Sequence, residues 1–362
     1  MSIDVAILGA TGAVGQRFIQ LLENHPWFRV AEVVASERSS DKAYAEAANW
    51  VLSGNAPTAV ANLTVKSLDS TLTSPLVFSA LPSDAAREAE ERLARAGHIV
   101  CSNAGAFRMD PTVPLLMPEV NAEHINLIPH QRQVKGWNGA IITNSNCTAA
   151  PLVMAMAPLR QFRPEVVNVV SMQAVSGAGY PGVPSLDIMD NVIPFIKGEE
   201  GKVETEPNKM LGAYEDGEIV SLGMTISATC NRVAVLDSHL VTVAVRFAEN
   251  PSQDDIIAAW QNFTGPEPVP SLPTAPAQPV IYAAEDDRPQ PRRDRDAGNG
   301  MSTVVGRLKE NKAINGVQFH ALAHNTVRGA AGCSILNAEL LVAEGYLEGA
   351  TEAAAVSAGV SL

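Results

Sequence analysis

The sequence predicts an α/β protein in two parts, a parallel-sheet domain followed by a strand-rich α+β domain. Three observations carry this. The chain opens on a β-like apolar run, a glycine-rich turn and a helical run, in that order. Small aliphatic residues dominate and aromatics make up only 5% of 362 residues, as suits parallel strands buried on both faces. Past residue 147 the rhythm changes to strands separated by irregular and charged segments.

The first element is Ile3–Gly9, which reads as a buried strand. Gly9, Gly12 and Gly15 follow, opening a helix over Val14–Asn24. Glycine there allows a tight turn, approach of a pyrophosphate to the backbone and close helix–sheet packing. The spacing departs from G-x-G-x-x-G, but its place after the first strand supports a Rossmann-type dinucleotide site with Gly9, Thr11, Gly12, Ala13 and Val14 around the phosphates. A second strand, Arg29–Ala35, ends in Ser36-Glu37-Arg38-Ser39. A carboxylate alone would favour NAD. Ser36, Arg38 and Ser39 instead suit a 2′-phosphate, so NADP is expected, with NAD possible. Strands at Val77–Ala80 and His98–Cys101 flank a helix over 84–96. Their ends place Ser79, Leu81 and Asn103 at the crevice, with Arg108 on the following loop.

A β-branched run, Ala140–Thr143, leads into Asn144-Ser145-Asn146-Cys147-Thr148, and an apolar helical run leads out. Cys147 therefore sits at a helix start, where unpaired N–H groups favour a thiolate. Val166–Gln173 reads as a strand and Ala174–Gly182 as a loop in which Gly177 and Gly179 allow a flat ring to approach. Residues 197–206 read as charged loop, with a helix starting at Glu206 and Pro207 in its first position. Glu206 and Lys209 would then face one pocket. Residues 230–245 read as two strands; a hairpin turning at Asp237-Ser238 would put Arg232 and His239 on one face. Residues 263–280 are proline-rich loop. Strands follow at 301–308 and 316–322, then a helix from Asn325 to about Tyr346, and an alanine-rich tail over 350–362. The expected division is a dinucleotide-binding domain over 1–146, completed by the C-terminal helix 325–362, and a catalytic and dimerisation domain over 147–324.

Composition excludes several roles. With 46% hydrophobic and 18% charged residues the chain can bury a large core. The net charge of −13 argues against a nucleic-acid partner. No apolar run approaches the roughly 18 residues of a membrane span, and the start Met1-Ser2-Ile3-Asp4 lacks a secretory pattern. The four cysteines, Cys101, Cys147, Cys230 and Cys333, show neither metal-ligand spacing nor disulfide density. A cytoplasmic protein with reduced thiols and no metal site is expected.

A nicotinamide cofactor beside a nucleophilic cysteine suits aldehyde/acyl interconversion. Cys147 adds to an aldehyde, the adduct loses hydride, and a thioester remains. His239 would take and return the proton, and Gln173 would orient the carbonyl. The extra cations Arg108 and Lys209 point to phosphate as the acyl acceptor.

In combination, eight segments resemble the archaeal and fungal type of the aspartate-semialdehyde dehydrogenase family: Gly9–Gly15, Ala35–Ser39, Ser102–Asp110, Ser145–Thr148, Gln173–Gly182, Glu206–Lys209, Asn231–His239 and His324–Gly332. The resemblance implies a fold like that of glyceraldehyde-3-phosphate dehydrogenase. It also implies NADP-dependent interconversion of L-aspartate 4-semialdehyde plus phosphate with L-4-phosphoaspartate, in lysine, threonine and methionine biosynthesis. It carries the nucleophile onto Cys147, acid/base onto His239, substrate orientation onto Gln173, the substrate carboxylate onto Arg232, the substrate amino group onto Glu206, and phosphate onto Arg108 and Lys209. Asn325 and the loop bearing Ser176, Gly177 and Gly179 would meet the nicotinamide, and the assembly would be a homodimer or homotetramer. The sequence departs from the family's usual glycine before the histidine, where it has Ser238, and from its usual proline at Ala234. A malonyl-CoA reductase, releasing CoA, is the alternative on this fold. A catalytically silent dinucleotide-binding regulator is the alternative of another class.

Overall fold

The computed structural model describes residues 2–347, so the expected tail 350–362 lies outside the described residues. The first sheet contains β1 (Ile3–Leu8), β2 (Phe28–Val34), β3 (Val65–Lys66), β4 (Leu76–Ser79), β5 (Ile99–Ser102) and β6 (Ala140–Thr143). All pair in parallel, in the order β3-β2-β1-β4-β5-β6. Every residue of β4, β5 and β6 is buried, which explains their uninterrupted apolar character. The strand order reverses between β1 and β4, and a crevice opens there at the strands' carboxyl ends. Helices α1 (Ala13–Leu21), α2 (Ser83–Ala96) and α3 (Leu127–Lys135) belong to this half. Helix α2 stops at Gly97, whose φ of 106° ends it in a left-handed cap.

Helix α4 (Ala149–Met156) joins the halves, and all eight of its residues are buried. The second half adds α5 (Glu200–Met210), α6 (Gln253–Gln261) and a mixed sheet of β7 (Pro164–Gln173), β10 (Thr225–Arg232), β11 (His239–Phe247), β12 (Val280–Ala283), β13 (Thr303–Asn311) and β14 (Gly316–Ala323). A small hairpin of β8 (Ala213–Glu215) and β9 (Glu218–Val220) lies apart. The large sheet runs β10-β7-β11-β14-β13-β12. Strand β11 alternates: Val241, Val243 and Val245 are buried in one core with Leu152, Val153 and Met156 of α4, while Leu240, Thr242 and Ala244 keep exposed surface. Each such buried aliphatic contributes roughly 1.5–3 kcal/mol. The last helix, α7 (Gly332–Ala343), returns to the first half, where Ile335, Leu336 and Leu341 share a core with Val5, Ile7 and Phe18.

Three sequence expectations are corrected. First, β10 and β11 do not form a hairpin. Strand β7 lies between them, parallel to β10 and antiparallel to β11. Residues 233–238 cross the end of β7, pairing with the following loop through Val175 N–H to Val235 O and Ser176 N–H to Leu236 O. Ser238 turns the chain back with φ 83°. Second, the helix does not start at Glu206. It spans Glu200–Met210 with Pro207 inside it. The proline removes one N–H from the ladder, but Val203, Glu206 and Met210 are buried along one stripe, and tertiary packing sustains the helix across the defect. Third, a wide turn over Val327–Ala331 precedes α7, which ends at Ala343 rather than near Tyr346. Arg328 fixes this turn, donating to both oxygens of Glu119 at 2.6 and 2.7 Å with both side chains fully buried.

Candidate active site

The Asn146 side chain, rather than Thr148, caps α4. Its Oδ1 accepts from the N–H groups of Thr148 and Ala149 at 3.0 and 3.2 Å, and its carbonyl accepts from Ala150 N–H at 3.1 Å. Cys147 is thus held in the first turn. Among the described residues its own N–H has no hydrogen-bond partner, so it is the amide left for a developing oxyanion. Gly329 packs directly against it: a Cβ at that position would lie 2.9 Å from both Cys147 Cα and Cβ.

The crossing connection brings Arg232 and His239 together by a route other than the expected one. The Ala174 peptide, just beyond β7, bridges them. Its N–H donates to His239 Nδ1 at 3.1 Å and its carbonyl accepts from Arg232 at 2.7 Å. Nε2 of His239 is buried and has no partner, so it is the ring nitrogen available to a substrate. Gly177 closes over both groups, and a Cβ there would lie 2.8 Å from the Arg232 guanidinium and 3.1 Å from His239 Nε2. Gln173 ends β7 on its buried side, donating to Ser171 Oγ at 3.2 Å.

Two carboxylates from α5 and its foot grip the cysteine turn. Glu206 accepts from Asn146 N–H at 2.6 Å and pairs with Arg108 at 3.2 Å. Glu199, which the sequence reading left in a loop, accepts from Asn146 Nδ2 at 2.8 Å and Thr148 Oγ1 at 3.1 Å. Arg108 also donates to Asn103 O at 2.6 Å, while its buried Nε has no partner. Lys209 is placed differently from the expectation of a phosphate contact. Its ammonium donates to the carbonyls of Arg108, Asp110 and Val113 at 2.7–2.8 Å, so all three N–H groups are spent on the Arg108 loop. Burial pushes it down to about 8, against Asp110 and Glu206.

The electrostatics correct the expectation of a resting thiolate. Cys147 is half-buried. Burial and then the Glu199 charge push the thiol up to about 12, against the pull of Arg108, Thr148 and Arg232. Burial and then the Arg232 charge push His239 down to about 4, against Glu199. Both shifts favour the uncharged forms, thiol and imidazole. Desolvation outweighs the helix end because it acts on the whole charge of the thiolate, whereas the helix end supplies only partial charge. Cys101, Cys230 and Cys333 are core residues with almost no exposed surface.

The nucleotide end is made mostly of backbone. Gly9 has φ 73°, and its carbonyl would lie 2.2 Å from a Cβ on Gly15, so α1 packs on the turn only because residue 15 is glycine. Gly12 precedes α1 without any side-chain cap, leaving the helix N-terminus for an anion. A cleft of about 340 Å³ beside it is lined by Ala13, Arg17, Ser176, Gly179, Tyr180 and Thr326, among others. Thr11 and Val14 lie in the same turn, and Ser36, Arg38 and Ser39 follow β2, with Ser36 and Arg38 exposed. These residues fit a dinucleotide laid from the end of β2 to the Ser176 loop. Two expected contacts sit differently. Ser79 has no exposed surface and neighbours Glu90. Asn103 donates to Ser79 O and Ser334 Oγ and accepts from Asn144, tying the strand ends to α7. Leu81 is partly exposed just after β4. Asn325 joins the two ends of the site: it accepts from Ser238 N–H at 2.7 Å and donates to Ser176 Oγ at 2.9 Å. Arg17, Tyr180, Gly329 and Glu199 escaped the sequence reading. For Glu199 a signal existed: Glu199, Val203, Glu206 and Met210 form a helical stripe at i, i+4, i+7 and i+11.

A nucleotide crevice at the carboxyl ends of the first sheet, with a cysteine turn and buried arginines beside it, defines a nicotinamide-dependent oxidoreductase. Residues 4–128 match the family model for the semialdehyde dehydrogenase NAD-binding domain, and residues 156–328 match its dimerisation domain. The chain is 50% identical to the aspartate-semialdehyde dehydrogenase of Archaeoglobus fulgidus over 95% of its own length and 99% of that protein. It is 40% identical to a malonyl-CoA reductase (NADP) of Metallosphaera sedula, covering 96% and 99%. The structure of Candida albicans aspartate-semialdehyde dehydrogenase with NADP superposes with a TM-score of 0.87 at 37% identity, covering 96% and 100% of the two chains. The chain belongs to the semialdehyde dehydrogenase family.

Proposed function

We propose that this enzyme interconverts L-aspartate 4-semialdehyde plus phosphate with L-4-phosphoaspartate, using NADP, in aspartate-family amino-acid biosynthesis. The observation that carries the reading is the convergence on one capped cysteine of a free imidazole nitrogen, two buried guanidiniums and a buried carboxylate. Bound NADP supplies the hydride acceptor that lets an aldehyde adduct on Cys147 become a thioester. Cys147 Sγ adds to the aldehyde carbon, and its proton reaches the carbonyl oxygen by way of His239 Nε2. Cys147 N–H binds that oxygen as charge develops on it. His239 takes the proton back at Nε2 as the thioester forms, which requires the ring hydrogen on Nδ1 and release of the Ala174 N–H contact. A phosphate oxygen then attacks the thioester carbon, the C–S bond breaks, and Cys147 recovers a proton.

Arg232 suits the substrate carboxylate, Glu206 the substrate ammonium and Gln173 the substrate's orientation. The unpartnered Nε of Arg108 suits phosphate. Lys209 serves that site by fixing the Arg108 loop and adding positive charge. Ser36, Arg38 and Ser39 would hold the 2′-phosphate, Ala13 and Gly12 the pyrophosphate, and Ser176, Gly177 and Gly179 the nicotinamide end, with residues 1–146 as the nucleotide domain. A homodimer is supported by the half-exposed outer face of the second sheet and by exposed Leu186, Met189, Val192 and Phe195. No helix among the described residues is long and apolar enough to cross a membrane, and a cytoplasmic location fits this chemistry.

Ser238 favours keeping the CoA-dependent reading in the test, because a side chain stands where the family usually has glycine beside the histidine. NADPH oxidation is measured with 4-phosphoaspartate and with malonyl-CoA. Turnover with the acyl phosphate is expected, and activity confined to the CoA ester would overturn the assignment.

A further inference from the structure

Glu199 has no place in the chemistry so far, yet its environment is demanding. It is only 7% exposed, and one of its oxygens accepts from Asn146 Nδ2 and Thr148 Oγ1, the residues on either side of Cys147. Its other oxygen meets Lys202 Nζ at 3.4 Å, from a side chain that is 44% exposed. Burial pushes the Glu199 carboxyl up, but the bond from Asn146, the Lys202 charge and the bond from Thr148 outweigh it and hold the group below the usual carboxylate range. Glu199 is therefore charged. A glutamine could accept the same two hydrogen bonds without the cost of burying a charge. The charge thus calls for its own explanation.

The groups acting on the sulfur supply one. Arg108 from the loop after β5 and Arg232 from β10 pull Cys147 toward thiolate, and Thr148 on its own turn does the same. Glu199 is the acidic group that opposes them, and it also bears on neutral His239 from β11. Glu206, on the same helix, is committed to Arg108 and the Asn146 amide.

We propose that Glu199 is a positioning residue for the nucleophile: its carboxylate, bonded to the residues on both sides of Cys147, sets the Asn146–Thr148 turn and places a negative charge beside the sulfur. This rests on Cys147 being the nucleophile. A resting thiol is protected, because oxidation and alkylation begin from thiolate. The sulfur then loses its proton only as it adds to a carbonyl carbon with His239 alongside.

The test is the pH profile of iodoacetamide alkylation on the full-length protein, with stoichiometry read by intact mass and Cys147→Ala as the background. In the wild type the rate climbs through pH 10 without a plateau. Glu199→Gln keeps the acceptor and removes the charge, so its rate at pH 8 rises up to about tenfold. Lys202→Met removes an exposed countercharge and lowers the rate at pH 8, which keeps the test alive if the first variant folds poorly. Glu199→Ala also frees the turn, and its kcat falls by about a hundredfold at nearly constant KM. Profiles for Glu199→Gln and Lys202→Met that superpose on the wild type, with one label per chain, overturn the role of the charge. Wild-type labelling no greater than that of Cys147→Ala at any pH would instead sink the nucleophile reading.

Discussion

The nucleotide end and the thiol end of this site are built by opposite means. Around α1 recognition rests on backbone: Gly9 at positive φ, Gly15 under the Gly9 carbonyl and an uncapped helix start at Gly12. Around Cys147 it rests on side chains drawn from four places: Arg108 after β5, Glu199 and Glu206 on α5 and at its foot, Arg232 on β10 and His239 on β11. The two ends should therefore fail differently. The nucleotide end is damaged by adding atoms, the thiol end by removing them.

The largest effect should come from the thiol end. Cys147→Ala is expected to lower kcat for NADPH oxidation at least about ten-thousandfold with melting unchanged, since nothing else in the site can carry an acyl group. Activity surviving that change would abolish the contrast. His239→Asn comes next, with a loss of about 10²–10⁴ in kcat, while the cysteine still accepts one alkyl label per chain. At the nucleotide end the test is a pair. Gly15→Ala would force a Cβ against the Gly9 carbonyl and cost about 1–3 kcal/mol of stability, read by denaturant melts. Gly12→Ala meets nothing closer than 3.4 Å in the protein, so its stability should hold while the KM for NADPH rises. If Gly12→Ala left that KM untouched, backbone approach by the pyrophosphate would be the wrong picture.

The smallest effect is a pH dependence spread over both halves, to which His239 of the thiol end contributes. His124, His239 and His324 are each pushed down to about 4, mainly by burial. Their native pKa lies below the unfolded value near 6.5. Above pH 6.5 both states are neutral and the stabilisation is complete. As pH falls toward 4 the unfolded chain binds protons that the native chain refuses, and stability is lost. The Tm should therefore decline between pH 6.5 and 4, and His239→Asn should make that decline shallower. An unchanged slope would mean His239 is already charged in the fold.

Legibility followed the same divide. Gly9, Gly12 and Gly15 were readable because a strand, a turn and a helix are contiguous and their requirements local. The strand positions of the first sheet were readable for the same reason, apart from the two-residue β3, which was missed, and shifts of a residue or so at the ends of the others. The Arg232–His239 pairing was reached through an incorrect hairpin, since no local signal shows that β7 inserts between β10 and β11. Pro207 misplaced the start of α5, because the proline signal is local and the stripe that overrides it is buried by α4. Lys209 reads as a phosphate contact in the sequence because its three carbonyl partners come from a loop about a hundred residues away.

From sequence alone came the α/β class, the dinucleotide turn, the cysteine at a helix start and the family resemblance. These are properties of residues near one another in the chain, where backbone preference and side-chain chemistry act over a few positions. Only the tertiary structure decided that burial pushes the Cys147 thiol up, that Lys209 braces the Arg108 loop, and that Glu199 bonds to the residues flanking Cys147. Desolvation and charge depend on everything packed within a few ångströms, and most of what packs against Cys147 comes from chain tens to hundreds of residues distant.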